Sequence, residues 1–172
     1  SLSLADPSNG MASTTPLALT GSWSAVFSLD QNAHGSLNEI LIPGIIDLSG
    51  KTGGYDLTLE IMDGGGQVVY RIDTNVAMLN GMLMRLPANP AISVLQPGQS
   101  YALTLTGDTG YAFSYYSNVQ LPATPWNQGL TITAMDIDGA PTGNLIPVGL
   151  SVTSPVGLVE SDDQQISIYP NP

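Results

Sequence analysis

Tyr55-Asp-Leu-Thr-Leu-Glu-Ile-Met-Asp63-Gly-Gly-Gly66-Gln-Val-Val-Tyr70-Arg-Ile72 is the stretch whose reading decides the fold. Tyr55, Leu57, Leu59 and Ile61 alternate with Asp56, Thr58, Glu60 and Met62, so an extended chain presents one apolar and one polar face. Asp63-Gly-Gly-Gly66 supplies the residues a tight reversal needs, and Val68, Tyr70 and Ile72 return with the same alternation. The spacing predicts a hairpin laid on a core. Upstream, Trp23, Ala25, Phe27 and Leu29 alternate with Ser22, Ser24, Val26 and Ser28. Leu37 to Leu48 is apolar but broken by Pro43-Gly44, which predicts two short strands or one bent strand. Downstream, Gly81 to Leu86 ends at Pro87-Ala-Asn-Pro90, and Pro97-Gly98 turns into Tyr101, Leu103 and Leu105. Gly107-Asp-Thr-Gly110 turns into Tyr111, Phe113 and Tyr115, then Leu130, Ile132 and Ala134 form a strand. A polar loop from Asp136 to Gly143 precedes the last strand, Leu145 to Val152. No segment sustains a 3.6-residue period. The pattern predicts an all-β chain of antiparallel sheets packed as a β-sandwich, jelly-roll-like in its order; a closed barrel would share the pattern.

A chain of 172 residues is long enough for one well-cored domain, burying roughly 70% of its unfolded surface. Residues 1–20 read as an irregular arm or edge segment, 21–155 as the sandwich domain, and 156–172 as a linker and the opening of a further, truncated module. Hydrophobic residues make up 42% and charged residues only 10%, against about 25% charged in a typical soluble domain. The polar surface therefore falls to Ser, Thr, Asn, Gln and backbone. Three basic residues, Lys51, Arg71 and Arg85, stand against 14 acidic ones, for a net charge of -11. Nucleic acid and anionic membrane surfaces, which need basic residues, are disfavoured. Divalent cations, neutral glycans and basic protein surfaces stay open. There is no cysteine, which removes disulfides, thiolate metal sites and thiol nucleophiles. No run of about 18 apolar residues predicts a membrane span, so membrane insertion is not expected. No signal peptide opens the chain; a leader removed ahead of Ser1 fits that, and so does a cytoplasmic origin.

The last residues, Ile166-Ser-Ile-Tyr169-Pro170-Asn171-Pro172, open a new apolar alternation and then a Pro-Asn-Pro stop. Tyr169-Pro-Asn-Pro172 resembles the opening of the C-terminal sorting domain on cargo of the Bacteroidetes type IX secretion system, with Glu160 to Gln165 as the linker. The resemblance covers Ile166 to Pro172 only. It implies a secreted or outer-surface protein whose sorting domain is truncated here. Leu57 to Gly66 and Pro97 to Leu105 are also similar to patches recurring in small secreted bacterial sandwich modules, a likeness that bears on fold and not on activity.

Catalytic chemistry has few parts to work with. His34, the sole histidine, lies in a turn-like loop, and no Gly-x-Ser-x-Gly elbow offers a serine to it. Asp108-Thr109-Gly110 resembles the aspartic-protease triplet, but one copy supplies one carboxylate and Gly107 precedes it. It reads as a hairpin turn. Gly50-Lys51-Thr52 lacks the first glycine of a P-loop, and a strand follows it. Asp56, Glu60 and Asp73 point outward on neighbouring strands, where two carboxylates could meet as in a glycosidase. Nothing requires a cofactor. A structural calcium ion is the candidate the loops offer, because Asp136-Ile-Asp138-Gly139 and Asp30-Gln-Asn32 each space oxygen ligands two apart.

The aromatics mark the candidate binding residues, with Trp126 packed over the end of the core as the alternative. Trp23 falls on a core position, whereas Trp126 sits in the long polar loop Leu121 to Gly129 beside Asn127 and Gln128. Tyr115 and Tyr116 face opposite sides of their strand, so one reaches the outer face. An aromatic face with amides nearby suits a sugar ring. Met78, Met82 and Met84 read as core filler. The sequence is therefore read as a non-catalytic, extracellular or cell-surface module for glycan binding or adhesion, its partner a polysaccharide or surface glycan. A structural, stalk or protein-contacting domain is the alternative, and a glycoside-hydrolase-like enzyme with paired carboxylates the next. Strand edges also leave self-assembly open.

Overall fold

The alternating segments at Ser22–Leu29, Tyr55–Asp63, Val68–Val76 and Ser100–Gly107 are extended strands, whereas the last strand starts at Gly149 rather than at Leu145. The protein is described by a computed structural model, which places residues 2–4, 10–13, 15–42, 46–47, 55–76, 83–107, 111–125 and 129–153. In chain order its strands are β1 (Leu2–Ser3), β2 (Met11–Ala12), β3 (Leu17–Ala18), β4 (Ser22–Leu29), β5 (Gly35–Ile42), β6 (Ile46–Asp47), β7 (Tyr55–Asp63) and β8 (Val68–Val76). There follow β9 (Met84–Pro87), β10 (Val94–Leu95), β11 (Ser100–Gly107), β12 (Tyr111–Phe113), β13 (Tyr116–Ser117), β14 (Leu130–Ile137), β15 (Ala140–Pro141) and β16 (Gly149–Thr153). Among the described residues there is no α-helix.

Two antiparallel sheets enclose one core, which makes the fold a β-sandwich. A six-stranded sheet runs β15-β14-β4-β11-β7-β8, and a five-stranded sheet runs β1-β16-β5, with β9 and β10 both beside β5. Two ribbons, β3-β12-β6 and β13-β2, accompany them. The deciding hairpin is β7–β8, in register from Tyr55 opposite Val76 to Ile61 opposite Tyr70. Segments of the first 20 residues pair as well: β1 lies along β16, and Leu4 and Leu19 are buried.

β4 buries Trp23, Ala25, Phe27 and Leu29 on one face, as its alternation requires. Phe27 stacks on Tyr101 of neighbouring β11, ring centroids 5.8 Å apart, an arrangement worth about 0.5–1.5 kcal/mol beyond its buried area. Trp23 is fully buried, and its Nε1–H donates to the Asn144 carbonyl at 2.9 Å, so the indole leaves no polar atom unsatisfied. β5 departs from strict alternation. Leu37 and Ile40 both face the core although three residues apart, because the pairing with β16 slips by one residue there, opposite Ser151 and Val152. That bulge rotates the strand back into phase. Met84 is in the core; Met78 and Met82 lie outside the described residues.

Candidate functional site

At the far end of β4 the chain turns sharply at Asp30. The Asp30 N–H donates to the Gly129 carbonyl at 2.9 Å, and the Asp30 carbonyl accepts from Ala33 and Gly98, both at 3.1 Å. β14 begins immediately after Gly129, with Leu130 opposite Leu29. The loop before it is pinned where Ala123 and Ile132 exchange backbone hydrogen bonds of 3.0 and 2.7 Å. These constraints leave an open recess of about 170 Å³ lined by Asp30, Thr124, Gly129, Leu130 and Thr131. Gly129 has φ +86°, and a Cβ on it would come 2.8 Å from the Ala33 Cβ. Only glycine fits that position without strain.

Two groups that the sequence singles out separately therefore meet: Asp30, and the loop that carries Trp126. Thr124 and Gly129, on either side of Trp126-Asn127-Gln128, both line the recess, while those three residues lie outside the described residues. Asn32 is exposed in the adjoining turn and does not line it. Tyr115 and Tyr116 do not line it either. Both are half-buried, and the Tyr116 backbone exchanges hydrogen bonds of 2.9 and 2.8 Å with Leu145 while Tyr115 accepts from Ser13 at 3.0 Å. Thr124 and Thr131 escape a reading of the sequence because nothing local relates them to Asp30. Only the pairing of β4 with β14 does so.

The second pair of candidate metal ligands has other partners. The Asp138 carboxylate accepts the Ser22 N–H at 2.7 Å and the Thr20 hydroxyl at 3.3 Å. Asp136 accepts the Ser24 hydroxyl at 2.9 Å and the Gly139 N–H at 3.3 Å. Asp136 and Asp138 sit at the start of β4 and Asp30 just past its end, roughly 25 Å away for a strand of that length. A single cation cannot be shared between them. Among the described residues, no three His, Cys, Asp or Glu side chains gather in a way that could hold a metal ion.

The outward carboxylates of the hairpin form a charge cluster. Arg71 bridges Glu60 at 3.0 Å and Asp73 at 3.1 Å. The Thr58 hydroxyl at 2.6 Å, then the guanidinium, hold the Asp73 carboxyl below its usual range. A glycosidase acid needs the opposite shift. Asn75 donates to Asp56 at 3.0 Å beside a shallow groove of about 380 Å³ that Asp56, Thr58, Asp73 and Asn75 help to line. On the other sheet, Arg85 pairs with Glu39 at 2.7 Å. His34 stays in its loop, with Nδ1 buried and lacking a hydrogen-bond partner among the described residues. Gly50–Thr52 and Asp108–Gly110 lie outside the described residues.

Fold and recess together define an antiparallel β-sandwich module with a small polar site at one end. No family model matches the chain, and no curated protein matches it. Among solved structures it is similar to a chain in "Structure of infectious bursal disease virus Gx strain", with 16% identity and a TM-score of 0.36. The match covers 86% of this chain and 33% of that one, so the chain spans about a third of the viral chain's length. A likeness of that depth says nothing about what the chain does.

Proposed function

We propose that this is a non-catalytic module of a secreted or cell-surface protein that binds glycan at the recess between Asp30 and the 121–129 loop. The observation that carries the reading is the convergence of the Asp30 carboxylate, two threonines and a glycine backbone at the ends of the loop bearing Trp126. Sugar hydroxyls both donate and accept, so a recess with a carboxylate acceptor and threonine hydroxyls, in a loop whose sequence carries Trp126, suits them chemically. The strong negative charge favours neutral or amino sugars over sulfated or uronic ones. The tail resembling a type IX sorting domain supports export to the cell surface. A structural calcium ion at the Asp30 or Asp136 loop belongs to the same reading.

The test is binding of the chain to a panel of soluble and insoluble glycans, with calcium and with a chelator. Saturable binding that is lost in both Trp126→Ala and Asp30→Ala, each still folded, is the expected result. Binding that survives both substitutions places the site elsewhere. Absence of binding across the panel in either condition favours the structural or protein-contacting alternative.

A further inference from the structure

We propose that β8 is a self-association edge, through which two copies pair antiparallel about a two-fold axis at Ile72. β8 is nine residues long and ends the six-stranded sheet, and no described strand pairs with its outer side. Near the hairpin turn the Val69 carbonyl is taken by the Ser93 hydroxyl at 2.9 Å, but from Arg71 to Asn75 the outer side of β8 offers backbone donors and acceptors to another strand. Its phase follows from the ladder: the Leu29 N–H donates to the Gln99 carbonyl at 2.8 Å, which makes Ala25–Leu103, then Thr104–Glu60, then Leu59–Ile72 the hydrogen-bonded pairs across β4, β11, β7 and β8. Arg71 and Asp73 flank Ile72, so their N–H and C=O groups point away from β7.

Side-chain charge selects one register. Arg71 and Asp73 lie two apart on the exposed face, with side chains 51% and 62% exposed. A two-fold axis at Ile72 sets each Arg71 opposite the other copy's Asp73, as hydrogen-bonded pairs on one face. An axis at Arg71 or at Asp73 sets like charges directly opposite, which is destabilising. A slip of one residue would turn the apolar face of one copy outward. Ile72, partly buried against the core, then meets its own symmetry mate on the inner face. Edge charges that usually block pairing are here self-complementary.

A second observation points to the same side of the molecule. The large hydrophobic residues most exposed among the described ones are Met11, Val68, Leu83 and Ile92. All but Met11 belong to β8, the approach to β9 and the β9–β10 turn. Val68 and Ile92 line one open groove of about 320 Å³ with Tyr70, Pro87 and Ser93. A second copy on β8 would shield this apolar rim. Because each copy carries a charge of -11, long-range repulsion opposes pairing until salt screens it, over a Debye length of about 8 Å at physiological ionic strength.

The experiment is sedimentation velocity over a dilution series at physiological salt, with amide exchange read at Arg71 and Asp73. The expected result is a concentration-dependent dimer in which those two amides become protected as dimer forms. Arg71→Asp and Asp73→Arg should each weaken dimerisation by about tenfold or more, and the double exchange should restore most of it. Asp73→Pro removes an outward N–H while leaving the β7–β8 ladder intact, and should abolish the dimer. A chain that stays monomeric up to about 0.5 mM would overturn the proposal. So would a dimer indifferent to Asp73→Pro and to both single exchanges.

Discussion

The Asp138 carboxylate receives the Ser22 N–H at 2.7 Å across 116 residues of sequence, and so ties the β14–β15 turn to the start of β4. The contact is tight enough that a Cβ on Gly21 would collide with the same carboxylate. Asp138 itself sits at φ +52°, in the left-handed region. A residue whose spacing suggests a metal ligand thus has a structural contact of its own.

Two separable costs arise at Asp138. Asp138→Ala loses the charge-assisted hydrogen bond and keeps an unfavourable φ, and should cost about 2–3 kcal/mol in denaturant unfolding. Asp138→Gly loses the bond but adopts that φ freely, so it should be about 1 kcal/mol less damaging. Equal losses in the two variants would show that the backbone conformation is unstrained.

Gly129→Ala meets both a positive φ and the Ala33 methyl, and should destabilise by at least about 2 kcal/mol. Adding Ala33→Gly removes the collision but not the φ penalty, so unfolding of the double variant should recover only part of the loss. Under the proposed function, the single variant should also weaken glycan binding, because Gly129 lines the recess.

Tyr70 should give stability a dependence on high pH. Burial raises its phenol from 10.0 to about 12, and its hydroxyl donates to the Pro87 carbonyl at 3.0 Å. The unfolded chain releases this proton at lower pH than the folded one. The contribution is therefore complete below pH 10 and is lost as pH rises toward about 12. Tyr70→Phe should cost about 1 kcal/mol at neutral pH and flatten that decline. What remains should reflect Tyr101, which burial shifts in the same direction. An unchanged slope in the Phe variant would assign the alkaline loss to other groups.

Much of the fold is legible in the chain because alternation in β4, β7, β8 and β11 is a local property. A residue's face is set by its parity along the strand, and the buried set Trp23, Phe27, Leu59, Ile61, Leu103 and Leu105 follows from it directly. Composition likewise sets an expectation about partners, since three basic residues against 14 acidic ones offer little to displace the counterions of a nucleic-acid backbone.

The tertiary structure decided what meets what. The bulge that turns Ile40 inward arises from pairing with β16, and no local signal marks it. Asp30 meets Thr124 and Thr131 only because β4 pairs with β14, joining segments far apart in sequence. Asp136 and Asp138 have the spacing of metal ligands, and only the fold shows that their carboxylates also accept hydrogen bonds from β4 and from the preceding Thr20. Side-chain parity is written residue by residue. Strand order and register come from the whole core closing at once, and they determine which polar groups converge into a site.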